Sequence, residues 1–278
     1  MTVVNSNIPA VVAQRAMVIN QRDLTSAMTH LATGKRINGS GDDAAGLAIS
    51  NKLGTRIASL NMAVRNANEG ISLIQTADGA AGTLSDMLFR MRELAVQSGN
   101  DTYSSSDRSA LKSEMSGLQK QIANTLENTE WNGMKALKGK AGSSGSISFQ
   151  VGASSTDAFT LAMTSLDTGS LAKAQTVASV NIGTRSGATS ALTTIDEALT
   201  EIDKARTLWG ATANRLVHAA DNASNVAMNS SASRSRIMDT DYAKTTADLA
   251  RAMILDQAGA AMLTQANQKP MYVLALLR

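Results

Sequence analysis

The stretch LGTRIASLNMAVRNANEGISLIQTADGAAGTLSDMLFRMRELA, Leu53 to Ala95, sets the architecture. Within it Leu53, Ile57, Leu60, Val64, Ala67, Ile71 and Ile74 follow a strict four-three spacing. The pattern shifts by one position and resumes at Ala77, Ala81, Leu84, Leu88, Met91 and Ala95. An apolar stripe of period 3.5 is a coiled-coil seam, and the shift is a local change of supercoil. About 50 residues at 1.5 Å each make a helix on the order of 75 Å long. A globular domain would not hold such a helix inside. Gly70, Gly79 and Gly82 read as local weak points in it.

Working outward, a turn at Ser98-Gly99-Asn100-Asp101 precedes a third helix with a seam of Leu111, Met115, Leu118, Ile122 and Thr125. The short loop predicts antiparallel packing on the long helix. Glu130-Trp131-Asn132-Gly133 ends that helix. Upstream, a helix is expected from about Pro9 to Ala32, ending at Thr33-Gly34, with Asp42 or Asp43 capping the long helix that follows. Beyond residue 139, Gly, Ser and Thr dominate and the period falls to two. Ile147, Phe149 and Val151, then Phe159, Leu161 and Met163, predict a β-hairpin joined through Gly152–Asp157 and lying on the helices. Helix returns after Thr184-Arg185-Ser186-Gly187, with Leu192, Ile195, Leu199, Ile202, Trp209, Leu216, Ala219, Ala223, Val226 and Ile237 along its seam. Ser230–Arg236 is polar. Asp239-Thr240-Asp241 then starts a terminal helix that Pro270 is expected to break or kink. The fold class is mainly α: a long antiparallel coiled-coil helical rod with a small β-hairpin, its termini paired side by side.

Both ends of the chain are patterned for burial. Val3, Ala10, Met17, Leu24 and Leu31 fall seven apart; Leu249, Met253, Leu263, Ala266, Leu274 and Leu277 carry a second stripe. Chain ends are ordinarily polar and frayed. The apolar gain of a lone terminal pair is smaller than the cost of ordering it, so these ends are expected to order on assembly, with other copies of the chain covering them. A head-to-tail contact that does not close repeats into an open helical filament.

Composition narrows the function classes. Apolar residues make up 43% of the chain and aromatics only 3%, which suits close helix packing along thin seams. Cysteine is absent, which excludes disulfides and thiol chemistry. The 26 basic and 23 acidic residues are interspersed, with no run of five like charges, and give no nucleic-acid footprint. No stretch approaches a membrane span, and no Sec-type leader is expected.

No constellation supports catalysis, a metal or a cofactor. His30 and His218 lack a second ligand one turn away. Asp42-Asp43 and Asp239-x-Asp241 precede helices, where capping accounts for them. Gly39-x-Gly41-x-x-x-x-Gly46 has the wrong spacing for a dinucleotide loop, and no strand precedes it. The sequons at Asn100 and Asn222 arise readily by chance. The 14 methionines read mostly as seam packing.

The residues at both ends resemble bacterial flagellin. Val4-Asn5-Ser6-Asn7-Ile8-Pro9-Ala10 with Ala13-Gln14-Arg15 is similar to the family's opening. Leu31-Ala32-Thr33-Gly34-Lys35-Arg36-Ile37-Asn38 and Asp42-Asp43-Ala44-Ala45-Gly46-Leu47-Ala48-Ile49 resemble its signature after the first helix. Arg65–Ser72, Met91–Ser98, Ser235–Ala243, Gln265–Gln268, Pro270 and Val273–Arg278 match further motifs.

The resemblance implies a structural subunit, not an enzyme, that polymerises outside the cell into the flagellar filament for swimming. Segments 1–40 and 239–278 would form a terminal coiled-coil filament-core domain, and 41–238 a helical rod domain with its variable region at about 139–188. The self-assembly seam would be Val3, Ala10, Met17, Leu24, Leu31, Leu249, Met253, Leu263, Leu274 and Leu277. The resemblance also implies type III export without a cleaved signal peptide, an export chaperone on the C-terminal helix, and filament cap and junction proteins as partners. A vertebrate innate receptor would meet Arg90, Leu94 and Glu114. The outer region is short for the family, and Lys269-Pro270-Met271-Tyr272 departs from its usual wording. Two rival readings are a hook–filament junction protein of the same superfamily and a cytosolic coiled-coil scaffold.

Overall fold

The structure is a computed structural model that describes residues 6–138, 146–154, 156–162, 177 and 180–275. Its elements are α1 (Ile8–Thr33), α2 (Ala44–Ser98), α3 (Ser105–Asn128), β1 (Glu130–Trp131), β2 (Met134–Lys135), β3 (Ser146–Gln150), β4 (Ala158–Ala162), α4 (Arg185–Met238) and α5 (Tyr242–Ala275). The chain divides into two compact units. One joins residues 1–55 to 229–278, and the other is residues 56–228.

In the 56–228 unit, α2 and α4 run antiparallel, because partners on α4 rise in number as those on α2 fall. Asp101 pairs with Arg185, Arg92 with Asp196 and Asp78 with Arg206, each at 2.7 Å. Leu60 packs with Ala223 and Ala227 further along. The seam read from the sequence is buried at Ala67, Ile74, Ala77, Ala81, Leu84, Leu88, Met91 and Ala95. Leu73, Met87 and Leu94 are buried as well, which widens the stripe. A helix covered by one neighbour buries a narrow stripe, whereas α2 has α3 beside it too, tied by Arg90–Glu114 at 2.8 Å. Met115, Ile122 and Leu126 of α3 complete this core with Ile195, Ile202, Trp209 and Leu216 of α4.

The β3–β4 hairpin forms as expected, antiparallel with Phe149 opposite Phe159 and Ile147 opposite Leu161. Met163 lies outside the described residues. The hairpin sits on the helices: Asn66 Nδ2 donates to the Gln150 carbonyl at 2.9 Å, and the Arg215 guanidinium lies 4.5 Å over the Phe159 ring. Gly70 sits at a close approach: a Cβ there would come within 3.0 Å of the Leu216 side chain and 3.3 Å of the Phe149 ring, so a larger residue would have to push these side chains aside. Periodicity did not disclose β1–β2, a two-residue ladder turned by Asn132 (φ 48) and Gly133 (φ 76). Positive φ at both positions is the signature of an Asn-Gly type I′ turn.

In the other unit, α1 and α5 lie antiparallel. Asn7 caps α1, accepting from the Ala10 amide, and its Nδ2 donates to the Ala266 carbonyl at 2.9 Å. Asn20 Nδ2 donates to the Ala252 carbonyl at 2.8 Å. Gly34 ends α1 in the left-handed conformation. A short antiparallel bridge joins Lys35 to Asp239, with Arg36 N donating to the Met238 carbonyl and Thr240 N to that of Gly34. Asp43 caps α2 at the Gly46 amide, and Asp241 caps α5 at the Ala243 and Lys244 amides. Asp42 instead closes its own loop. Amides of Asn38 and Gly39 donate to its carboxylate and hold its pKa below the ordinary value, with a smaller contribution from His30.

The polar stretch Ser230–Arg236 lies within α4, which runs unbroken to Met238 with Ser230 buried. One expectation is corrected. Pro270 does not end α5, which runs through it to Ala275. A proline removes a single backbone donor, which a long helix can carry.

Candidate assembly surface on the terminal helix pair

The seam spacing on α1 selects the face turned toward α5. Ala10, Met17, Leu24 and Leu31 are each half-buried, with Ala27 buried between them. On α5, Leu249 and Leu263 are half-buried, and Ala252 and Ala266 are buried. Met17 lies against Gly259, where a Cβ would come within 3.0 Å of its Cγ. Within one chain the described seam residues that face across the α1–α5 pair are thus half-buried to buried. Met253 is 51% exposed; four residues beyond Leu249 the helical phase has turned it to the flank of the α5 stripe. Val3 and Leu277 lie outside the described residues, and Leu274 lies in α5 with its side chain outside them.

The residues left uncovered form a second apolar surface. On α1, Ile8, Val11, Val12, Val18 and Ile19 are 49–62% exposed; on α5, Ile254, Leu255 and Met262 are 52–66% exposed. Ile8, Val12 and Ile19 are spaced by four and seven and share one flank of the seam. Leu255 and Met262, seven apart, share the matching flank of α5. Between the two flanks runs an apolar groove of about 830 Å³, edged by Ile8, Val12, Leu255 and Met262 with Met17 within it. A polar cavity of about 380 Å³ lies nearby, lined by Asp23, His30, Asp248 and Arg251 among others. Arg251 pairs with Asp248 at 2.8 Å. Among the described residues no group of acidic and histidine side chains is arranged to hold a metal ion. No described helix is long and apolar enough to cross a membrane.

Arg90 and Glu114 are brought together on the surface of the other unit. The Arg90 guanidinium pairs with Glu93 and Glu114, each at 2.8 Å, and its hydrogen bonds to Glu93 and then Glu114 raise its pKa. Leu94 does not join them. It is 1% exposed, inside the core with Met91 and Met115. The presence of α3 beside α2 puts this position inside, so the three residues do not form one continuous surface.

The family model for the bacterial flagellin N-terminal helical region matches residues 4–141, and that for the C-terminal helical region matches residues 192–277. The chain belongs to the bacterial flagellin family. It is 43% identical to the flagellin of Halalkalibacterium halodurans over 276 residues, covering 99% of this chain and all of that one. It is 37% identical to flagellin FlaB2 of Treponema pallidum over 286 residues, with 99% and 100% coverage. Against flagellin B of Vibrio cholerae the identity is 34%, over an alignment of 374 positions that covers 99% of each chain. This flagellin is therefore much the shorter of the two. The crystal structure of Bacillus cereus flagellin superposes with a TM-score of 0.50 at 30% identity, covering 57% of this chain and 88% of that one. Nothing in these matches favours the junction-protein or scaffold reading.

Proposed function

We infer that this flagellin is a structural subunit of the bacterial flagellar filament, exported from the cell, and that copies join through the apolar groove and flanks of the α1–α5 pair. One observation carries the mode of joining. Beside the half-buried seam, Ile8 and Val12 of α1 and Leu255 and Met262 of α5, each 52–62% exposed, edge one apolar groove. A contiguous surface of that kind marks an interaction site. An identical chain is the partner that a filament supplies in unlimited number, and a non-closing contact extends without end. Segments 1–40 and 239–278 are the filament core in this reading, and 41–238 the surrounding domain.

The test is seeded growth. Purified full-length chain added to sheared filament fragments is expected to lengthen them, as followed by electron microscopy and sedimentation. A chain that stays monomeric at high concentration with seeds present sinks the reading.

The same surface suits a cytosolic export chaperone, which would cover Ile254, Leu255 and Met262 before export through a type III channel. Cap and junction proteins would meet the helices at the filament's ends. An innate receptor would meet Arg90 and Glu114 without Leu94. Arg90→Ala is expected to lower receptor signalling at least tenfold while changing thermal unfolding little, because surface ion pairs such as those to Glu93 and Glu114 contribute little to stability. Unchanged signalling would remove this partner.

A further inference from the structure

We propose that Met262 is an oxidation switch for assembly: an oxidant of the peroxide or hypochlorite class converts its thioether to the sulfoxide on the free chain, and the modified chain no longer joins a filament. The proposal rests on the polymerisation reading above.

Among the described residues, five methionines are largely exposed. Met28, Met62, Met228, Met253 and Met262 are 46–64% exposed. Met262 is alone among these five in edging the apolar groove, where it is 61% exposed. Met17, the other methionine of the groove, is half-buried against Gly259 and so is the less reachable sulfur. Susceptibility to oxidation follows access. In the reaction the sulfur lone pair attacks a peroxide oxygen, the O–O bond breaks, and water leaves. The thioether is oxidised by two electrons and the peroxide is reduced by two.

The product carries a polar S=O group where an apolar group had been. The groove wall offers it little, since its lining is almost entirely aliphatic with Asn20 as its polar member. An S=O buried there without a donor is penalised, whereas on the free chain water solvates it. The oxidation therefore acts selectively on the joined state, by roughly ten- to hundredfold in affinity. Methionine sulfoxide reductases reverse it, so the switch resets.

The experiment uses the full chain. Partial oxidation with hydrogen peroxide is followed by seeded growth, and pelleted and unincorporated chains are compared by peptide mass spectrometry. Met262 sulfoxide is expected to be at least tenfold depleted in the pellet, while Met228 sulfoxide, at a site 64% exposed in the other unit, is carried in far more evenly. Equal Met262 oxidation in both pools overturns the proposal. Met262→Leu is expected to grow filaments at peroxide doses that stall the wild type; equal sensitivity of the variant also overturns it. If untreated wild type fails to lengthen seeds, the polymerisation reading falls and takes this proposal with it. That outcome is distinct from treated and untreated chains growing alike.

Discussion

Leu255→Asp is expected to cut the rate of seeded filament growth at least a hundredfold while the free chain keeps its helical circular dichroism. Leu255 is 52% exposed and edges the groove. A carboxylate there remains solvated on the isolated chain, so folding changes little. Docking would bury it against aliphatic side chains without a partner, which costs several kcal/mol. Leu255→Ala removes contact area without adding a charge and is expected to slow growth much less. Ile19→Asp, on the matching flank of α1 at 51% exposed, should reproduce the aspartate effect from the other helix. Growth at the wild-type rate by both aspartate variants would remove the groove from the assembly contact.

Trp209→Ala should destabilise the 56–228 unit by about 3–5 kcal/mol, the usual cost of truncating a large buried aromatic. Trp209 is fully buried, in the core shared by α2, α3 and α4. For a unit of this size that loss lowers the melting temperature by roughly 6–20 °C. Trp209→Phe makes a sharper comparison. The indole Nε1–H has no hydrogen-bond partner among the described residues, so phenylalanine discards that donor along with some packing. Its cost should stay below about 1.5 kcal/mol. Thermal denaturation followed by circular dichroism measures both, and an alanine variant losing under about 1 kcal/mol would place Trp209 outside the core.

The helices were legible because their signal is local. The four-three spacing of Leu53–Ala95 names a buried face whatever covers it, and Asp43 and Asp241 announce helix starts by chemistry alone. What the spacing leaves out is the identity of the cover. Ala10, Met17, Leu24 and Leu31 form a stripe; the out-and-back order of helices pairs the two ends, but only the fold shows which residues of α5 meet it. The flank of Ile8, Val12 and Ile19 then became the exposed surface, although its residues are just as apolar. Leu94 illustrates the same gap. Its place one turn beyond Arg90 suggests a shared surface, but α3 lies over that side. The Asn132-Gly133 turn was readable in principle, since that dipeptide favours positive φ. Its two-residue strands were too short for any period to register.

The pairing of Asn7 with Ala266 joins residues that ribosomes make 259 positions apart. Translation delivers α1 first and α5 last, so the first helix has no seam partner until nearly the whole polypeptide exists. Its half-finished form is a chain whose opening segment cannot lock early, so the two helices close on each other only after the last segment has been made.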